Sequence, residues 1–218
     1  MSDFRNPASS IYHGTTTVGL VCSDGTVLAT DTRAIAGPYF IAHRNVKKIQ
    51  KIDEHLGMTI AGGVADAQNV VDTIRYYANI YRLERGIGIP VKAAARLASN
   101  IFFSSRLFPY IADVIVAGYE VSGPSVYNID LFGSLTEEKY ISTGSGSPVA
   151  YGILESEYRE GISAEEGVRI AVKAVTAAMK RNAGTGDSFD VTIIDRKGFR
   201  DLTSEEKTRI VEAVARRA

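Results

Sequence analysis

A glycine followed directly by three threonines, Gly14-Thr15-Thr16-Thr17, offers the most chemistry in this chain. If the Gly14–Thr15 bond is cut, Thr15 gains a free α-amine beside its own hydroxyl. Such an amine titrates at about 7.7–8.0, so near neutral pH it can take the hydroxyl proton, directly or through a water. A lysine side chain, at about 10.4, would need a large shift to do the same. A nearby ammonium would depress the amine's pKa and steady the alkoxide, and would itself need a carboxylate to hold it. Asp31 and Lys48 are available on neighbouring strand segments, and Gly62 ends a later one with a backbone N–H to offer an oxyanion. The same stretch also reads as an edge strand behind a floppy leader. Residues 2–10 are polar, without period, and contain Pro7.

Other nucleophile schemes find little support. The single cysteine, Cys22, lies in an apolar run and reads as a buried small hydrophobe. Gly144-Ser145-Gly146-Ser147-Pro148 lacks the last glycine of a Gly-x-Ser-x-Gly elbow. It also lacks the lysine of a phosphate-binding loop. The three histidines have no zinc-ligand spacing. No cofactor or metal is expected.

The 218 residues are 45% hydrophobic, with 25 basic and 25 acidic side chains. A neutral chain without charge blocks gives no reason to expect nucleic acid or an anionic membrane as partner. One cysteine excludes an internal disulfide framework and fits a reducing compartment. The first 30 residues lack a secretory signal and no apolar run is long enough to span a bilayer, so the expected location is cytoplasmic.

The elements that must carry these residues follow from period and punctuation. Thr15–Ser23 and Thr26–Arg33 read as strands joined by an Asp24-Gly25 hairpin, with a turn at Gly37-Pro38. Phe40–Ala42, Val46–Asp53 and Gly57–Val64 are further strands. In the second of these, alternation would put Val46, Lys48, Gln50 and Ile52 on one face. Apolar residues at Ala67, Val70, Val71, Ile74, Tyr77, Ala78 and Tyr81 have helical spacing up to Arg85, and Pro90 opens a second helix to about Leu107. Ala112–Tyr119, Ser125–Asp130 and Glu138–Thr143 return to strand. Ser147 is placed to cap a helix with Pro148 in its first turn. Ser163-Ala164-Glu165-Glu166 is a capping box for a long helix to about Asn182. Phe189–Asp195 is a strand, Gly198 a turn, and Thr203–Glu206 a second capping box for a C-terminal helix. Two mostly antiparallel sheets stacked face to face, each covered by a helix pair, would bury every apolar face. The fold class is therefore α/β of the α+β type, a four-layer α-β-β-α sandwich.

Five segments, in order, resemble the proteasome β-subunit family, most closely its archaeal type. They are Thr15-Thr16-Thr17-Val18-Gly19; Thr30-Asp31-Thr32-Arg33-Ala34; Val46-Lys47-Lys48; Met58-Thr59-Ile60-Ala61-Gly62-Gly63 with Ala65-Asp66-Ala67-Gln68; and Ser142-Thr143-Gly144-Ser145-Gly146-Ser147-Pro148 with Tyr151-Gly152. The resemblance covers essentially the whole chain and implies an N-terminal-nucleophile hydrolase fold. Residues 1–14 would be a propeptide removed on maturation, and 15–218 a single domain. The implied activity is threonine endopeptidase, acting on unfolded polypeptide inside a stacked-ring particle. The implied partners are β-subunit copies in a seven-membered ring, a second β-ring, α-subunit rings and, indirectly, an ATPase unfoldase.

Carried over by motif, Thr15 is the catalytic threonine and Gly14 the residue before the processed bond. Asp31 is the acidic residue, with Arg33 beyond it as support. Lys48, the second of the Lys-Lys pair, is the catalytic lysine; Gly62 serves the oxyanion, and Ser145 hydrogen-bonds near the amine. The pocket for the residue before the scissile bond would be lined by Ala34, Val46, Lys48, Ile60 and Val64, which is apolar and favours large hydrophobic residues. The family commonly has Arg-Asp-x-x-Ser-Gly after the long fourth helix, where this chain has Arg181-Asn182-Ala183-Gly184-Thr185-Gly186. Thr185 keeps the hydroxyl; Asn182 keeps size and an acceptor but loses the charge. Asp187, five residues beyond Asn182, is a candidate to compensate. The alternatives are a catalytically silent β-ring subunit that retains its propeptide and the bacterial two-ring threonine protease. The latter is shorter, and the Gly-Ser-Gly-Ser-Pro segment with its long following helices argues against it.

Overall fold

The computed structural model describes residues 14–37 and 40–215, so expectations for residues 1–13 and for Pro38 lie outside the described residues. In chain order the strands and helices are β1 (Thr17–Cys22), β2 (Gly25–Asp31), β3 (Ala34–Ala36), β4 (Phe40–His43), β5 (Ile49–Asp53), β6 (Leu56–Gly62), α1 (Val64–Arg85) and α2 (Val91–Ser104). They continue with β7 (Ala112–Glu120), β8 (Gly123–Ile129), β9 (Leu135–Glu138), β10 (Tyr140–Thr143), α3 (Ser147–Glu157), α4 (Ala164–Arg181), β11 (Phe189–Asp195), β12 (Gly198–Asp201) and α5 (Ser204–Ala215). Among the described residues no helix is long and apolar enough to cross a membrane.

Two five-stranded antiparallel sheets form the centre, in the orders β10-β1-β2-β11-β12 and β5-β6-β7-β8-β9. Three separate apolar cores show how they stack. Leu28, Ile49, Ile115, Val126, Ile141 and Ile194 pack between the sheets. Met58, Val70, Ile74, Phe102 and Val116 seal the second sheet against α1 and α2. Val18, Leu20, Val27, Leu154 and Val175 seal the first against α3 and α4. Three cores between four layers make an α-β-β-α sandwich. The sheets approach closely at Gly19, where a Cβ would stand 2.9 Å from Ile115 and 3.1 Å from Val126.

Local chemistry explains most boundaries. Ser163 caps α4 by accepting from the Glu166 N–H. At α5 the box is reciprocal: the Thr203 hydroxyl accepts from Glu206 N–H at 3.3 Å, and the Glu206 carboxylate from Thr203 N–H at 2.7 Å. Gly86 ends α1 in the left-handed conformation.

The structure corrects four details of the sequence reading. Glu138–Thr143 is not one strand: the chain leaves one sheet after Glu138 and enters the other at Tyr140. Residues 45–48 belong to no strand, so the alternation argument for Val46 and Lys48 does not apply. Ser147 is the first residue of α3, and Gly146 stands at the cap position without a side-chain bond. Gly198 opens a strand rather than making a turn, pairing back on Asp195.

Candidate active site

Thr15 precedes β1 at the mouth between the two sheets, and its neighbours are fixed by pairing. Thr17 is in register with Thr30 on one side and Thr143 on the other. This brings the end of β2, which carries Asp31, and the loop after β10, which carries Ser145, to either flank of Thr15.

Asp31 is fully buried and its carboxylate accepts four hydrogen bonds. One oxygen takes Thr16 N–H at 2.9 Å and the Lys48 ammonium at 2.8 Å; the other takes Arg33 N–H and Gly186 N–H, each at 3.1 Å. Those four donors fill the acceptor capacity of an ionised carboxyl. Lys48 is also buried, its side chain 5% exposed. Burial holds its ammonium below the ordinary lysine pKa of 10.5; Asp31 opposes that shift and Arg33 adds to it. The same ammonium donates to the Thr15 hydroxyl at 3.0 Å. Lys47 points elsewhere, to an exposed pairing with Asp201.

The Thr15 hydroxyl in turn donates to the Gly14 carbonyl oxygen at 2.6 Å. The nucleophile candidate therefore lies against the carbonyl group of the bond in front of it. Gly14 has a steric reason to be glycine: a Cβ there would lie 2.1 Å from the Gly184 Cα. Two glycines let the strand entry and the loop after α4 cross at backbone contact. Gly14, Thr15, Ala34, Val46, Ile60 and Gly62 join Ile35 and Lys48 around a small cavity of about 40 Å³. Ile35 had no signal in the sequence beyond its place next to Ala34. The side chain of Val64 lies outside what is described.

On the other flank, Thr15 N–H donates to the Ser145 hydroxyl at 3.4 Å. Ser145 donates onward to the Asn182 carbonyl oxygen at 2.9 Å, which also accepts from the Thr185 hydroxyl at 3.0 Å and Gly184 N–H at 3.1 Å. The Asn182 amide donates back to the Ser145 carbonyl at 3.1 Å. Thr185 shares a hydroxyl pair with Thr16 at 2.8 Å. Asn182 thus organises the network by geometry while bringing no charge to it. Asp187 does not compensate: its carboxylate binds Arg33 and Arg44, each at 2.8 Å, and they hold it below the usual carboxylate range. It serves the loop instead, since Arg33 also donates to the Ala183 carbonyl at 2.8 Å. Thr16, Gly184 and Gly186 were missed in the sequence, although a buried aspartate on an apolar strand demands backbone donors such as Thr16 and Gly186; Gly184 serves Asn182 instead.

Chemically, the cluster is a hydroxyl held between an ammonium and a carbonyl, with a serine hydroxyl at its own nitrogen. A family profile described as "Proteasome subunit" matches residues 11–194. "Proteasome subunit beta 2" of Nitrosopumilus maritimus is 54% identical, covering 95% of this chain and 99% of the relative. "Proteasome subunit beta 2" of Aeropyrum pernix is 48% identical, over 88% of this chain and 86% of the relative. "Proteasome subunit beta" of Methanocaldococcus vulcanius is 45% identical, over 91% and 89%.

Replacing Asp31 by Asn should cost roughly 3–5 kcal/mol of stability near neutral pH, because it strands a buried ammonium. A lysine whose folded pKa is depressed is penalised only while charged. The penalty is therefore full below that pKa and relieved as pH rises towards 10.5. Denaturant unfolding of both proteins at about pH 7 and about pH 10 reads this directly: the gap should narrow at the higher pH, and an unchanged gap contradicts the assignment.

Proposed function

The chain belongs to the proteasome subunit family, with β-subunits as its relatives, and on that premise we propose that it is a threonine endopeptidase, made as a precursor and activated by self-cleavage at Gly14–Thr15. The observation that carries the reading is the Thr15 hydroxyl, set 3.0 Å from the Lys48 ammonium and 2.6 Å from the Gly14 carbonyl oxygen.

In the mature enzyme the Thr15 amine takes the hydroxyl proton, and Oγ attacks the substrate carbonyl carbon. Lys48, held by Asp31, steadies the forming alkoxide, and Gly62 N–H receives the oxyanion. Collapse breaks the C–N bond, and the Thr15 ammonium gives its proton to the leaving amine. Water, deprotonated by the same amine, then hydrolyses the threonyl ester and frees Thr15. Maturation uses the same hydroxyl on the Gly14 carbonyl. The hydroxyl proton leaves there by another route, because the Thr15 nitrogen is still acylated. Arg33 and Thr185 support the constellation by tying the loop after α4 to β1 and β2. Ala34, Val46 and Ile60 shape the pocket before the scissile bond for apolar side chains.

Membership of the family implies a multi-subunit particle. We place this chain in a seven-membered β-ring stacked on a second one, between α-subunit rings, in the cytoplasm, receiving polypeptide unfolded by an ATPase. Exposed Tyr76, Leu83, Phe103, Leu107 and Phe108 on and after α1 and α2 support packing against further subunits. The charge-free Asn182 favours a second reading, a silent ring subunit that keeps its propeptide.

Two variants separate the readings. Thr15→Ala should abolish both hydrolysis of fluorogenic apolar peptides and removal of the leader; peptidase activity retained in that variant rejects the scheme. Asn182→Asp places a carboxylate beside Ser145 and favours the protonated amine, so the amine becomes a free base only at higher pH. The acidic limb of the pH–rate profile should move upward in this variant, and an unmoved limb means Asn182 does not act on the amine.

A further inference from the structure

A second cavity, of about 450 Å³, is lined by Ser145, the residue that accepts from the Thr15 N–H. The small cavity contains Gly14, the residue before the bond to be broken, and not Ser145; the large one contains Ser145 and not Gly14, and Gly62 belongs to both. The chemistry decides which half of a substrate goes where. The leaving amine must take its proton from the Thr15 nitrogen, and that nitrogen faces Ser145. In self-cleavage the leaving nitrogen is that very atom. The chain beyond the scissile bond therefore departs on the Ser145 side, into the large cavity.

Its lining is asymmetric in charge. Asp113 of β7 brings a carboxylate, Asn128 of β8 is neutral, and no lysine or arginine lines it. Burial, and then repulsion from Asp130, raise the Asp113 carboxyl above its ordinary value, and a cation beside it would favour its charged form.

We propose that this cavity binds the substrate residues that follow the scissile bond and favours a lysine or arginine there, with Asp113 as its counter-charge. The inference rests on the endopeptidase reading and deepens it from the general class of unfolded polypeptide to a preference on the leaving side.

The test uses the assembled particle and internally quenched peptides with one scissile bond. The peptides are identical except for Lys or Ala at the first or second position after it. The wild-type particle should favour a Lys peptide in kcat/KM by about tenfold. In Asp113→Asn the ratio should fall towards one, and in Asp113→Lys an acidic residue should be preferred instead. Particle mass checks assembly, and Asp113→Ser, expected to lower the ratio in the same way, serves if the other Asp113 variants do not assemble. Equal cleavage of Lys and Ala peptides by the wild type, or a Lys preference that persists in Asp113→Asn, overturns the proposal while leaving the endopeptidase reading intact. Failure of the wild type to hydrolyse any peptide overturns both.

Discussion

The buried pairing of Asp31 with Lys48 is the constraint on which the rest of the site depends. Taking two such charges out of water costs several kcal/mol per ion, and attraction alone does not guarantee repayment. The carboxylate is nevertheless fully satisfied, by Thr16, Lys48, Arg33 and Gly186, which come from four separate stretches of chain. Each donor must therefore be in place for any of them to be tolerated. That requirement fixes the entry to β1, the end of β2, the irregular segment before β5 and the loop after α4 against one another. The Thr15 hydroxyl is placed as a consequence, because the ammonium that Asp31 holds is the one that reaches it.

The double sheet makes this possible in two ways. Its outer helices and inner core exclude water from the pair, which strengthens every interaction at the mouth. Its strand order brings distant sequence together: β1 lies between β2 and β10, so Asp31 and Ser145 flank Thr15 although they are far apart in the chain. The passage from β9 to β10 is what delivers Ser145, since the chain crosses there from one sheet to the other. Gly14 and Gly184 then let the entry to β1 and the loop after α4 touch at backbone distance, placing the peptide bond before Thr15 under its own hydroxyl.

Much of this was legible in the sequence because the relevant signals are local. Asp24-Gly25, the capping boxes at Ser163 and Thr203, and the glycine after α1 each mark a boundary through the backbone groups they satisfy. Periodicity was enough to place α1, α2 and α4 and hence the layering. What escaped depends on tertiary contact. The change of sheet at Lys139 leaves no mark in an alternating run. The non-strand path of residues 45–48 is imposed by the need to carry Lys48 inward, against the alternation of its neighbours. Thr16, Gly184 and Gly186 contribute backbone groups or simple absence of a side chain, which only a folded partner makes visible. Asp187 shows the converse: its nearness in sequence to Asn182 said nothing about where Arg33 and Arg44 would take it.

The Thr15 amine is free only once the bond before it is cut. The central claim is that the Asp31–Lys48 pair sets Thr15 to break that bond itself. The intact mass of the chain from the assembled particle tests it most directly. The account predicts a chain that has lost residues 1–14 and begins at Thr15; a particle containing only the full-length chain, or a chain cut at another residue, would contradict it.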